Sequence, residues 1–224
     1  MLAEGKVGPR LLGDGAQAEQ RMDRTGAVIC ADAHARYLEA TMRGSIFSTG
    51  PAAPFTLAAT HAIATLGATC TPIVGIWNPL ASNVMVVVMK AKMSLASTGN
   101  AAAPTGCFMW ATNTNQGAIT TGLNPMNRKT LNQAGSQVKG FSNTALTGMT
   151  TNLTVQGAAA FGGTIAAQGA TASPLIAGEG VEEFEGGWLV PPGGVLALLS
   201  SSTATLTTAA AMLLWEEIPL SAAL

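Results

Sequence analysis

Four glutamates fall within seven residues of one another: Glu179, Glu182, Glu183 and Glu185. Paired carboxylates can ligate calcium, or act as proton donor and nucleophile in glycoside hydrolysis. The calcium-loop pattern is absent and the run leads into Gly186-Gly187-Trp188, so a solvated loop is expected there. The two histidines, His34 and His61, stand 27 residues apart and in no ligand spacing. His61 reads as a strand or turn residue and His34 as a solvated one. Cys30, Cys70 and Cys107 are odd in number and lack any C-x-x-C, so small thiols are expected rather than a disulfide framework or zinc site. Gly13-Asp14-Gly15-Ala16-Gln17-Ala18 matches G-x-G-x-x-A but follows no apolar strand, and a flexible glycine-rich arm explains it better. No G-x-S-x-G elbow and no P-loop occur. Asn152-Leu153-Thr154 is a glycosylation sequon, of little meaning without a secretory signal. Catalytic, cofactor-binding and metal residues are therefore expected to be none, and the protein not an enzyme. A polysaccharide-active enzyme using Glu179–Glu185 is the catalytic rival.

Trp77, Trp110, Trp188 and Trp215 each fall within or at the end of an expected strand, where aromatics usually fill a core or an interface. The strand signal is strongest from Val84. Odd positions Met85, Val87, Met89, Ala91, Met93 and Leu95 are all apolar. Even positions begin apolar (Val84, Val86, Val88) and turn polar (Lys90, Lys92, Ser94), which reads as one face buried throughout and the other emerging into water. Further strands are expected at Phe55–Ala62, Pro72–Trp77, Cys107–Thr112, Gly187–Val190, Val195–Ser200 and Ala210–Ile218. Turn chemistry separates them at Asn78-Pro79, Ser97-Thr98-Gly99-Asn100 and Pro191-Pro192-Gly193-Gly194. Short strands punctuated this way, without long amphipathic helices between them, indicate an all-β sandwich or jelly roll. Glu216-Glu217 is expected where the last strand leaves the core. Residues 112–175, rich in Asn, Thr, Gln, Gly and Ala, fit either interface strands or long surface loops.

Charge divides the chain. Of 224 residues only 23 are charged, and twelve of these lie between Glu4 and Arg43, against eleven in the following 181 residues. The expected layout is an N-terminal arm or attachment segment, 1–43, and a body, 44–224. Asp32–Gly44 fits a helix, with Asp32 as N-cap and Gly44 just past the end, and also fits a strand; extended structure is preferred. With 48% hydrophobic residues and a net charge of −1, disorder and nucleic-acid binding are disfavoured. Residues 44–89 carry no charge, but prolines and glycines cut them into pieces too short to span a membrane. Met-Leu-Ala-Glu-Gly-Lys shows no secretory signal, so maturation in a reducing cytoplasm is expected.

Several segments together carry a resemblance. Asp32–Ala40 leads through Arg43-Gly44-Ser45-Ile46-Phe47. Then come Gly75-Ile76-Trp77-Asn78-Pro79-Leu80-Ala81-Ser82-Asn83, Trp188-Leu189-Val190-Pro191-Pro192-Gly193-Gly194, and Leu213-Leu214-Trp215-Glu216-Glu217-Ile218-Pro219. The series resembles structural proteins of tailed-bacteriophage virions with a jelly-roll or sandwich body, the capsid decoration, cement and head-fibre subunits. The resemblance implies a jelly-roll-like β-sandwich with an extended N-terminal arm, a homotrimer, and a virion location. It implies a partner in the major capsid protein or another virion protein, reached through residues 1–43. The alternative is a tail, collar or fibre-base component that binds host glycans, with Trp110 and residues 112–175 as the place to look. The low charge fits either role, because a face poor in ions can be buried against a neighbour without stripping water from charges.

Overall fold

The computed structural model describes residues 37–63, 70–97, 108–114, 116, 119, 122–148, 153–159, 176–201 and 207–220. The chain divides between Glu39 and Ala40 into two units. Of the first, only 37–39 lie among the described residues. Cys30, Asp32, His34, Cys107, Asn152 and the Gly13–Ala18 segment lie outside them.

The expected extended structure gives way to a short helix, α1 (Leu38–Arg43). Its end explains why. Gly44 takes a left-handed φ of 78°, which costs glycine little. That turn lets Gly44 N–H donate to Thr41 O at 3.0 Å and Ser45 N–H donate to Ala40 O at 3.1 Å. Two carbonyls that the helix end would leave bare are thus satisfied, in a Schellman motif.

From here the chain is strands in two antiparallel sheets, an all-β sandwich. The strands are β1 (Ile46–Thr49), β2 (Phe55–Thr56), β3 (Val74–Trp77), β4 (Val84–Ser97), β5 (Phe108–Asn113), β6 (Met126–Asn127), β7 (Lys139–Phe141), β8 (Thr154–Ala158), β9 (Ile176–Val190), β10 (Val195–Ser200) and β11 (Thr207–Pro219). One sheet runs β6-β1-β11-β4-β9, with β2 also on β11; the other runs β7-β3-β10-β5-β8. Phe55–Ala62, expected as one strand, keeps only two strand residues. Pro54 precedes it, and at its far end the Ala58 N–H donates to His61 Nδ1 at 2.9 Å, closing a 3₁₀ turn over Ala59–His61.

The expected alternation along β4 holds only in halves. Val84, Val86 and Val88 face the other sheet and are buried; beyond Met89 the buried positions are Ala91, Met93 and Leu95. Met89 is the extra residue of a β-bulge: on β11, Leu214 pairs Lys90 while the adjacent Trp215 pairs Val88. The bulge moves the inward set from even to odd numbers; Val84–Met89 reads as an unbroken apolar run because the half-buried Met85 and Val87 between the valines are apolar too. On the other neighbour, β9, Glu183 pairs Lys90 and Trp188 pairs Val88, so Phe184–Gly187 stand opposite Met89 alone. Glu185 and Gly186 take φ of 49° and 84° to make that detour.

The main core lies between the sheets, with Trp215, Leu213 and Val88 meeting Ile76, Trp110 and Leu198. A second core covers the opposite face of the β3–β10–β5 sheet, where Ile119, Phe141, Leu146 and Leu153 pack on Ala111, Ala197 and Leu199. The sheet is therefore apolar on both faces, and β10 is buried at all six positions. The described part of residues 112–175 holds both an exposed loop, residues 128–135, and a largely exposed edge strand, β8. It adds β6 to one sheet and β7 and β8 to the other, and it caps the second core.

Candidate functional site

Two of the segments that carry the resemblance meet at one corner of the sandwich. In the β9–β10 turn, Gly194 N–H donates to Pro191 O at 2.8 Å. Pro192 and Gly193, the latter with φ 80°, form the centre of this type II turn. Asn78, fully buried, joins this turn to the β3–β4 turn. Its N–H donates to Gly194 O at 2.9 Å and its carbonyl accepts from Gly193 N–H at 2.8 Å. Its side-chain amide donates to Val84 O at 2.9 Å and Val190 O at 3.0 Å. Its Oδ1 accepts from Ser82 Oγ at 2.5 Å. The turn residues read from the sequence therefore act as one hydrogen-bonded clasp, which fixes where β9 and β10 leave the corner.

The acidic cluster lies on strand β9, not in the expected loop. Alternation sends Glu179 and Glu183 to the outer face, where Glu183 pairs Lys90 at 2.8 Å and Glu179 pairs Lys92 at 3.7 Å. Glu182 faces inward and accepts the Trp110 indole N–H at 2.9 Å. The cluster is thus split across two faces, and among the described residues no three His, Cys, Asp or Glu side chains are grouped to hold a metal. No helix among them is long and apolar enough to cross a membrane.

Other nominated residues have structural partners. His61 is buried and stacks on Phe55 at 5.3 Å between ring centroids. Its Nδ1 accepts from Ala58 N–H, so its Nε2–H donates to Asn143 Oδ1 at 3.1 Å. Burial holds its pKa below the usual 6.5, only partly offset by the Ala58 and Asn143 bonds. Cys70 is a buried thiol. Glu217 does not mark an exit from the core: it is buried and accepts from Ser136 Oγ at 2.5 Å, Gln137 N–H at 3.1 Å and Trp215 Nε1 at 3.3 Å. Desolvation raises its pKa above the usual 4.5 against these bonds. Glu216, on the outer face, accepts from Ser45 Oγ at 3.1 Å and pairs with Arg43 at 3.5 Å.

The tryptophans divide by exposure. Trp110, nominated for glycan contact, is only 1% exposed and belongs to the core. Trp188 is half-buried and lies beside it. Trp110 meets Phe184 at 5.3 Å and 75° and Trp188 at 6.0 Å and 66°, while Phe184 and Trp188 are 5.7 Å apart. These edge-to-face contacts fix the Trp188 ring. It also lines a cleft of about 530 Å³ bordered by residues of β5, β8, β9 and β10, among them Thr112, Asn113, Thr114 and Gln156. Gln156 lies at a register shift between β5 and β8. It shares the lining of this cleft with Trp188, a pairing that no spacing in the sequence signals. No family model, curated protein or solved structure matches the chain, so its function must be read from its own residues.

Proposed function

We propose that the chain is a non-enzymatic structural subunit of a tailed-bacteriophage virion. Its body would be a homotrimeric jelly roll that decorates or cements the capsid shell, held to the major capsid protein through residues 1–43. The strand order carries this reading. Counting β1, β3, β4, β5, β8, β9, β10 and β11 as first to eighth, one sheet reads first–eighth–third–sixth and the other second–seventh–fourth–fifth. That is the order of an eight-stranded jelly roll, an architecture common among viral capsid domains. The surface supports it: Lys90, Lys92, Glu179, Glu183 and Glu216 all sit in ion pairs. Leu80, Leu131 and Leu189 are 62%, 68% and 56% exposed, as suits surfaces that meet neighbours.

Such a subunit works by mass action: what binds the assembled shell and not its parts stabilises the shell. The test is cryo-microscopy of the native particle, with heat resistance of particles stripped of the protein. Density over the capsid and weakened stripped particles are expected. A tail location, or stripped particles equally robust, overturns the reading. Deleting residues 1–43 should leave a folded oligomer that no longer binds its particle. The second reading, a tail, collar or fibre-base component that contacts host glycans, is favoured by the Trp188 cleft.

A further inference from the structure

We propose that the cleft beside Trp188 binds a neutral carbohydrate. The inference does not depend on which virion surface the chain occupies. The cleft volume of about 530 Å³ falls within the span of small-molecule sites. Its lining includes Trp188, whose ring is held by Trp110 and Phe184. Trp110 is itself pinned by its bond to Glu182, so the platform is set before any ligand arrives. The lining also includes Thr112 and Thr114, which carry hydroxyls, and Asn113 and Gln156, which carry amides, and none of the described lining residues is charged.

This donor set selects a ligand class. Phosphates and nucleotides need cations, and a metal needs anionic or imidazole ligands; the lining supplies neither. A pyranose has an apolar C–H face to lie on an indole and hydroxyls around its edge to meet amides and side-chain hydroxyls. A proline-rich peptide would also lie on a tryptophan. It has few donors to offer, however, and would leave much of the polar lining unmatched.

The test is binding of the full chain to a microarray of neutral oligosaccharides, with chitotriose and maltotriose as first probes in solution. Titration is followed by tryptophan fluorescence, since Trp188 reports directly. Saturable binding with Kd on the order of 0.1–1 mM is expected. Gln156 is exposed, so Gln156→Ala should fold normally and weaken binding about fivefold, the loss of one neutral hydrogen bond. Trp188→Ala should abolish binding and Trp188→Phe should keep part of it. The proposal is overturned if no neutral oligosaccharide on the array binds, or if binding is unchanged in both Gln156→Ala and Trp188→Ala. It is equally overturned if a proline-rich peptide occupies the cleft and no sugar displaces it. Failure here leaves the particle location to be decided by microscopy alone.

Discussion

Removing the Asn78 side chain should be among the most damaging single changes in the body. The amide donates to Val84 O and Val190 O and accepts from Ser82, all inside the protein. Asn78→Ala removes both donors and leaves the Ser82 hydroxyl, only 7% exposed, without this acceptor. Each lost buried hydrogen bond is worth about 1–1.5 kcal/mol, so the expected loss is about 3–4 kcal/mol. Against a total stability of about 5–15 kcal/mol, that is a large fraction. In a chain of this length it corresponds to a fall in Tm of roughly 6–16 °C. Asn78→Asp should be worse at neutral pH. It keeps the shape but points a carboxylate oxygen at two carbonyl oxygens, and stability should return as acid protonates it. Ser82→Ala should cost only about 1 kcal/mol and should not add fully to Asn78→Ala, because the two share one bond. Urea unfolding of the four proteins measures all of this. An Asn78→Ala loss below about 1 kcal/mol, or an Asn78→Asp protein as stable as wild type at pH 7, would refute the clasp.

Two titrating groups should bend the pH–stability curve in opposite directions. The folded-state pKa of His61 lies below 6.5, so as pH falls through 6.5 the unfolded chain takes up a proton the folded one refuses and stability drops. Urea midpoints of His61→Gln should lack that drop. The folded-state pKa of Glu217 lies above 4.5, so its contribution is fully present below pH 4.5 and is lost as pH rises through the folded value. Glu217→Gln should remove that decline, again read from midpoints between pH 4.5 and 7. Gly75→Ala should lower Tm by several degrees, since its Cβ would sit 2.8 Å from Leu196 O and 3.2 Å from Ala197 Cα, both backbone atoms of the paired strand. A melt unchanged from wild type would mean that β3 and β10 can part without cost.

Much of the sandwich was legible where one physical signal dominated. Val195–Leu199 is an uninterrupted apolar run, and the strand expected over Val195–Ser200 forms with those bounds. Asn78-Pro79 and Pro191–Gly194 read as turns, because proline and glycine restrict or free the backbone locally wherever they stand. Where tertiary pairing competed with local chemistry, the reading failed. Glu182 and Glu183 look like loop residues until Lys90 and Trp110 are placed on either side of β9. The segment ending at Gly44 fits both periods, and what separates them is the hydrogen bonding at Ala40 and Thr41, which composition does not encode. Trp188 was visible as a strand aromatic. Its difference from Trp110 was not, since exposure of a ring on an edge strand depends on what lies across the gap.

Met89 has a consequence for how this sequence can change. Val84, Val86 and Val88 belong to one reading frame of the strand, Ala91, Met93 and Leu95 to another, and a single uncounted residue joins them. Were Met89 drawn into the ladder as an ordinary paired residue, the frames would collide, and either the three valines or the later apolar trio would turn to water while Lys90 and Lys92 competed for the interior. Its deletion, by contrast, would merge both sets into one alternation with all six residues still facing inward, whereas a residue gained or lost elsewhere in these fourteen would turn part of the set outward. Position 89 is thus where β4 can most readily lose a residue, and drift in this chain should preserve the length of the strand more strictly on either side of it than at it.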